Sequence, residues 1–302
     1  MSVVEKAIRK LQESKQAASA EAAAAAAAAP GSAVPSAEAA GPAATAPPAR
    51  PPALVLERGL LRSAGLLPPE QDMAQLARQY RRIKYPLMAQ AMGRGVPRTP
   101  KGYLIMIASA MPGEGKTFTA LNLSLSLALE KDIKVLLVDA DVAKPQLSQV
   151  LGLGNAPGLL DVLRDGSVDV EALIRPTDVP KLSFLAAGLG AVDATELLSS
   201  TRMERLTTVL GQHDGARIVV FDSPPLLQTT ESAALVRVTG QIVVVVRAET
   251  TPQPVVLDAL KILEGHPAVS LVLNQSTRAV TSSYYYYGYG TERGSPADQT
   301  AA

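Results

Sequence analysis

The chain contains no cysteine, which removes disulfides, thiolate metal sites and cysteine nucleophiles in one step. Histidine is almost as scarce. His213 and His266 stand alone near predicted element ends, where surface or loop roles fit better than catalysis. No run of about 18 or more strongly apolar residues occurs, so no bilayer-spanning helix is expected. Residues 1–15 mix charge with apolar side chains and lack the apolar centre of a secretory signal. Net charge is +1, so nothing global attracts nucleic acid or an acidic surface. These absences lead to the expectation of a cytoplasmic protein that binds no nucleic acid, with peripheral docking to a membrane partner still open.

What is present divides the chain into four parts. Val3, Val4, Ala7, Ile8 and Leu11 recur at helical spacing, so residues 1–17 read as an amphipathic helix. Residues 18–54 are almost entirely Ala, Pro, Gly, Ser and Glu and read as a disordered or semi-rigid linker. Residues 55–278 have globular composition, and 279–302 form a polar, tyrosine-rich tail expected to be flexible. Within the globular part, apolar runs at 103–108, 134–139, 181–186, 217–222, 241–247 and 269–274 read as strands. Helical patterns lie between them, including 117–130, 202–210 and 252–264, and another covers 72–88. The strands are near-continuous Val/Ile/Leu runs, as expected when helices cover both sheet faces. The pattern is that of an α/β domain with an open, mainly parallel sheet.

The chemistry-bearing motifs sit at strand ends. Ala110-Met-Pro-Gly-Glu-Gly-Lys116-Thr117 follows the first apolar run and opens a helical one, the context a phosphate-binding loop requires. Gly113 and Gly115 let backbone N–H groups close around phosphate oxygens. Lys116 brings a point charge and the Thr117 hydroxyl a Mg²⁺ ligand. Two later strands end in acids, Val135-Leu-Leu-Val-Asp139-Ala-Asp141 and Val219-Val-Phe-Asp222. Ligands of open α/β sheets bind beyond the carboxyl ends of the strands, so these carboxylates and the loop should converge there. Carboxylates beside a triphosphate require a cation between them. Asp222 is the best metal carboxylate; of Asp139 and Asp141, one holds metal and the other accepts a proton from an attacking hydroxyl. Asn274, at the end of the last strand, is placed to read a base edge or to form a turn. Arg78, Arg81, Arg82 and Lys84 on the 72–88 helix read as a solvated face or a subunit interface.

The remaining feature is the cluster Tyr284, Tyr285, Tyr286, Tyr287 and Tyr289, five of only eight tyrosines in the chain. Its Ser, Gly, Thr and Glu surroundings do not suit a core. Nucleic-acid stacking is disfavoured because the only cations near the cluster are Arg278 and Arg293. A nucleotide site and a run of phenols on one molecule point to self-phosphorylation.

These motifs together resemble the bacterial tyrosine kinases (BY-kinases), most nearly the autokinases of PEP-CTERM/exosortase-associated exopolysaccharide loci. The resemblance rests on Tyr80-Arg-Arg-Ile-Lys84, Pro112–Thr117, Asp139-Ala-Asp-Val-Ala-Lys-Pro145, Gly158-Leu-Leu-Asp161, Phe221-Asp-Ser-Pro-Pro-Leu226 and the tyrosine cluster. It implies a P-loop NTPase fold and ATP–Mg²⁺-dependent autophosphorylation of the cluster, between subunits of a homo-oligomer. It implies nucleotide binding by Met111, Pro112, Gly113, Glu114, Gly115, Lys116, Thr117, Phe118 and Asn274, with metal held by Thr117, Asp139 and Asp222. It further implies a membrane-bound chain-length-determinant or activator protein, because the membrane helices of fused kinases are not seen here, and a cognate phosphatase. Two positions depart from the family pattern: Ala143 stands where the second motif commonly has Arg, and Arg78 where the interface helix often has Glu. A partition- or cell-division-type ATPase switch, or a nucleotide-dependent scaffold for polysaccharide export, is the alternative. The switch ATPases carry lysine where this loop has Met111.

Overall fold

In the computed structural model, residues 52–190, 192–211 and 217–276 are described. The predicted N-terminal helix, most of the linker, His213 and the tyrosine cluster lie outside the described residues.

Seven strands form one sheet: β1 (Leu104–Ser109), β2 (Lys134–Asp139), β3 (Arg175–Pro176), β4 (Leu182–Leu185), β5 (Arg217–Asp222), β6 (Gln241–Arg247) and β7 (Val269–Asn274). Their order is β3-β4-β2-β5-β1-β6-β7, and every pairing is parallel except the edge pair β3–β4. All six long apolar runs of the sequence are strands. The seventh, β3, is two residues long and ends in proline, a residue confined to sheet edges because it cannot donate to a ladder.

Alternate residues along each strand point to opposite faces, and both faces are dry. Leu104, Met106, Leu136, Val138, Val219, Phe221, Ile242 and Val244 belong to one core. It is covered by α5 (Leu159–Arg164), α6 (Val170–Leu173), α7 (Ala194–Leu198), α8 (Thr201–Gly211), α9 (Thr230–Val238) and α10 (Gln253–Ile262). Ile105, Ile107, Val135, Leu137, Ile218, Val220, Val243 and Val245 face the other core. That one is covered by α1 (Arg58–Ser63), α2 (Met73–Met92), α3 (Lys116–Ala128) and α4 (Gln146–Val150). Burial on both sides is why these strands read as continuous apolar runs and not as alternating ones. The outer edge β7 is the exception, with Leu271 and Leu273 exposed.

Helix α2 runs four residues beyond its sequence-predicted end, through Pro86, and stops at Gly93 in the left-handed conformation. Ala91, in the added turn, is buried and continues the buried face of Leu87 and Met88. Tyr80 is buried in the same interface, and burial pushes its phenol up to about 12, the Thr119 hydroxyl offsetting part of the effect. Lys84 corrects the picture of a uniformly solvated basic face. It is 4% exposed, bonds the Ser126 carbonyl at 2.8 Å and pairs with Glu130 at 2.7 Å, tying α2 to the end of α3. Arg78, Arg81 and Arg82 are exposed. Leu54, read as the last linker residue, already belongs to the fold: it bridges to Thr177 beside the β3–β4 hairpin.

Candidate active site

Three neighbouring strands, β2, β5 and β1, deliver the site at their carboxyl ends. The chain leaves β1 at Ser109 and turns through the glycine loop into α3. Gly113 (φ 80°) and Gly115 (φ 95°) take left-handed conformations that side-chain-bearing residues rarely adopt. Gly115 caps α3, so Lys116 and Thr117 occupy its first turn, where backbone N–H groups without helical partners attract anions. The loop is braced internally. Ser109 Oγ donates to the Met111 carbonyl at 2.7 Å, and the Glu114 carboxylate, only 2% exposed, accepts the Met111 N–H at 2.7 Å.

Asp139 and Asp222 are direct partners in the β2–β5 ladder, and both are fully buried. Asp139 Oδ2 accepts both the N–H and the hydroxyl of Ser148, each at 2.8 Å; Ser148 lies in α4 and is itself buried. The second oxygen, Oδ1, has no partner. Neither oxygen of Asp222 has a hydrogen-bond partner of good geometry. Burial is the main cause that raises both carboxyls, Asp139 to about 6 and Asp222 to about 8. Lys116 pulls Asp222 the other way without cancelling burial. Neighbouring negative charge adds to the rise, from Asp141 at Asp139 and from Asp139 and Asp141 at Asp222. Asp141 lies two residues beyond the strand end, where its Oδ2 pairs with Lys116 Nζ at 2.8 Å. The fold therefore gathers all four residues expected to be catalytic.

Buried carboxylate oxygens without donors are costly unless a cation completes them. Three such oxygens beside a phosphate loop fit a metal–nucleotide, which Thr117, Asp139 and Asp222 would hold. Among the described residues no three acidic or histidine side chains gather closely enough to hold an ion alone.

Two expected nucleotide contacts have other engagements. The Asn274 amide donates one of its two N–H groups to the Glu114 carbonyl at 2.9 Å, which ties the end of β7 to the loop. The Phe118 ring packs against the α2-side core, leaving its backbone N–H as its route to a phosphate. Met111 is exposed at the loop's rim. Ser148 and Thr251, which hold Asp139 and Glu114, carried no sequence signal: each is an ordinary hydroxyl in a short helix or loop.

Comparison with known proteins agrees with this geometry. The AAA domain family model matches residues 102–256. EpsB of Ralstonia nicotianae is 35% identical over 192 residues, 63% of this chain and 25% of EpsB. The tyrosine-protein kinase YwqD of Bacillus subtilis is 33% identical over 187 residues, 61% of this chain and 77% of YwqD. The crystal structure of the VpsO kinase domain superposes with a TM-score of 0.56 at 27% identity, covering 68% of this chain and 98% of that domain. The chain belongs to the AAA domain family and, within it, to the bacterial tyrosine-protein kinases. The matched region spans about a quarter of the length of EpsB. No helix among the described residues is long and apolar enough to cross a membrane.

Proposed function

We propose that this chain is an ATP- and Mg²⁺-dependent protein-tyrosine autokinase that phosphorylates its own Tyr284, Tyr285, Tyr286, Tyr287 and Tyr289 and so regulates exopolysaccharide synthesis or export. The observation that carries the reading is the pair Asp139–Asp222: two buried carboxylates with unpartnered oxygens, facing a glycine loop with Lys116 at its helix start. A structural carboxylate would not be left unpaired at zero exposure.

A bound Mg²⁺ would supply positive charge to offset that of the transferred phosphoryl group. The protein's own part is positioning and electrostatics. Backbone N–H groups of residues 113–117 cradle the phosphates, and Lys116 exchanges Asp141 for a phosphate oxygen. Thr117, Asp139 and Asp222 would hold the metal. Asp141, released by Lys116 and the most accessible of the three acids, takes the phenol proton as the tyrosine oxygen bonds to the γ-phosphorus and the bond to ADP breaks. The polysaccharide role rests on the motifs shared with BY-kinases, as do assembly into a homo-oligomer, a membrane-bound activator, a cognate phosphatase and a cytoplasmic site at the inner membrane face.

Incubation of the purified full chain with radiolabelled ATP and Mg²⁺ tests the reading. The wild type should incorporate label stable to acid and retained on tyrosine. Lys116→Met and Asp222→Asn should each lose incorporation by orders of magnitude, since electrostatic stabilisation dominates phosphoryl transfer. Near-normal labelling of either variant would refute the site.

A further inference from the structure

Glu114 places a carboxylic side chain in the phosphate loop, turned inward and 2% exposed, beside the place where phosphates are to bind. Buried acid next to an anion site is unfavourable unless its own bonds hold something in place. Here they do. One oxygen, Oε2, accepts the Met111 N–H at 2.7 Å, which fixes the loop's rim. The other, Oε1, accepts the hydroxyl of Thr251, 137 residues away in the segment between β6 and α10. The Glu114 carbonyl in turn accepts the Asn274 amide at 2.9 Å from the end of β7. Asn274 is locked to the same segment, because its own backbone carbonyl accepts the Ala248 N–H at 2.9 Å. A Cβ on Gly115 would collide with the Asn274 amide nitrogen, so the glycine also leaves room for this clamp.

We propose that Glu114, Thr251 and Asn274 form a brace that sets the phosphate-loop conformation, with Glu114 and Thr251 acting as positioning residues for nucleotide binding. Neither side chain needs to touch the nucleotide. The carboxylate holds the Met111 N–H inward, and Thr251 holds the carboxylate. Without the brace the loop N–H groups are no longer preset, and part of the binding energy goes to ordering them. The effect falls on affinity more than on turnover at saturation, because the loop is ordered once nucleotide is bound. The inference rests on the nucleotide-binding half of the function proposed above, not on the phosphotransfer half.

The test is the affinity of the full chain for Mg–ADP by calorimetry, together with KM and kcat for ATP. Thr251→Val should weaken Mg–ADP binding about fivefold, the worth of one hydrogen bond. Thr251→Ser, which keeps the hydroxyl, should bind like wild type. Glu114→Ala should weaken binding about tenfold or more, and Glu114→Gln, which can still span Met111 and Thr251, should recover most of it. In Thr251→Val, KM for ATP should rise in step while kcat stays within about twofold. A role in folding stability alone would lower Tm and leave affinity at room temperature unchanged, which would overturn the brace. If Glu114→Ala fails to fold, the Thr251 pair decides. Wild-type affinity in Thr251→Val and Glu114→Ala would likewise overturn it. The nucleotide-site reading survives that outcome if Lys116→Met still loses Mg–ADP, and falls with it if Lys116→Met binds normally.

Discussion

Asp139 and Asp222 stand side by side on adjacent parallel strands, each without exposure to solvent, and three of their four carboxylate oxygens lack a hydrogen bond. Two acids in that position repel one another and resist ionisation, so the fold maintains an arrangement that stability alone would not select.

A pH signature follows. Burial first, and neighbouring acids second, raise the Asp222 carboxyl to about 8 and the Asp139 carboxyl to about 6 from a usual 3.8. A folded-state value above the unfolded one favours folding while the group is protonated. That contribution is complete below pH 3.8 and is lost as pH rises through about 6 and then about 8. Asp222→Asn cannot ionise. Without nucleotide or divalent ions it should melt several degrees above wild type at about pH 8 and close to it near pH 4. A lower Tm than wild type at the alkaline end would mean that Asp222 is a structural residue.

Gly115 is a second point of leverage. Its φ of 95° and the Asn274 amide that crowds any Cβ leave alanine neither conformation nor space. Gly115→Ala should lower stability by about 1–2 kcal/mol from the left-handed conformation alone and abolish nucleotide binding. Denaturant titration and calorimetry read the two effects separately. Retained Mg–ADP affinity would show that the loop adapts.

Lys84 offers a contrast within one helix. Lys84→Ala strands the Glu130 carboxylate and the Ser126 carbonyl and should cost about 1–3 kcal/mol in chemical denaturation. Arg78→Ala removes a solvated side chain from the exposed set that also holds Arg81 and Arg82, and should cost less than about 0.5 kcal/mol. Equal costs would refute the division of this helix into buried and exposed cations.

Much of this was legible in the sequence because local and global signals agree. β1, β2, β5 and β6 are apolar runs with glycine, acid or proline punctuation, and the same burial that makes them strands carries Asp139 and Asp222 to one edge. The glycine loop between β1 and α3 could be placed to within a residue. What escaped depends on contacts between distant segments. Lys84 shares its helix with exposed arginines, and only the packing of α2 on α3 distinguishes it. The bond from the Asn274 amide to a carbonyl 160 positions earlier has no local signal either. Thr251 and Ser148 have no local pattern, since a hydroxyl that holds a buried carboxylate looks like any other hydroxyl. The two-residue β3 carries no periodicity at all.

The central claim is tested most directly by mapping phosphate on residues 279–302 of the purified full chain after incubation with ATP and Mg²⁺, using peptide mass spectrometry with Lys116→Met as the paired sample. The account predicts phosphate on tyrosines among Tyr284, Tyr285, Tyr286, Tyr287 and Tyr289 in the wild type, and none in Lys116→Met. A wild-type tail without phosphotyrosine, or the same phosphopeptides in both samples, would contradict it.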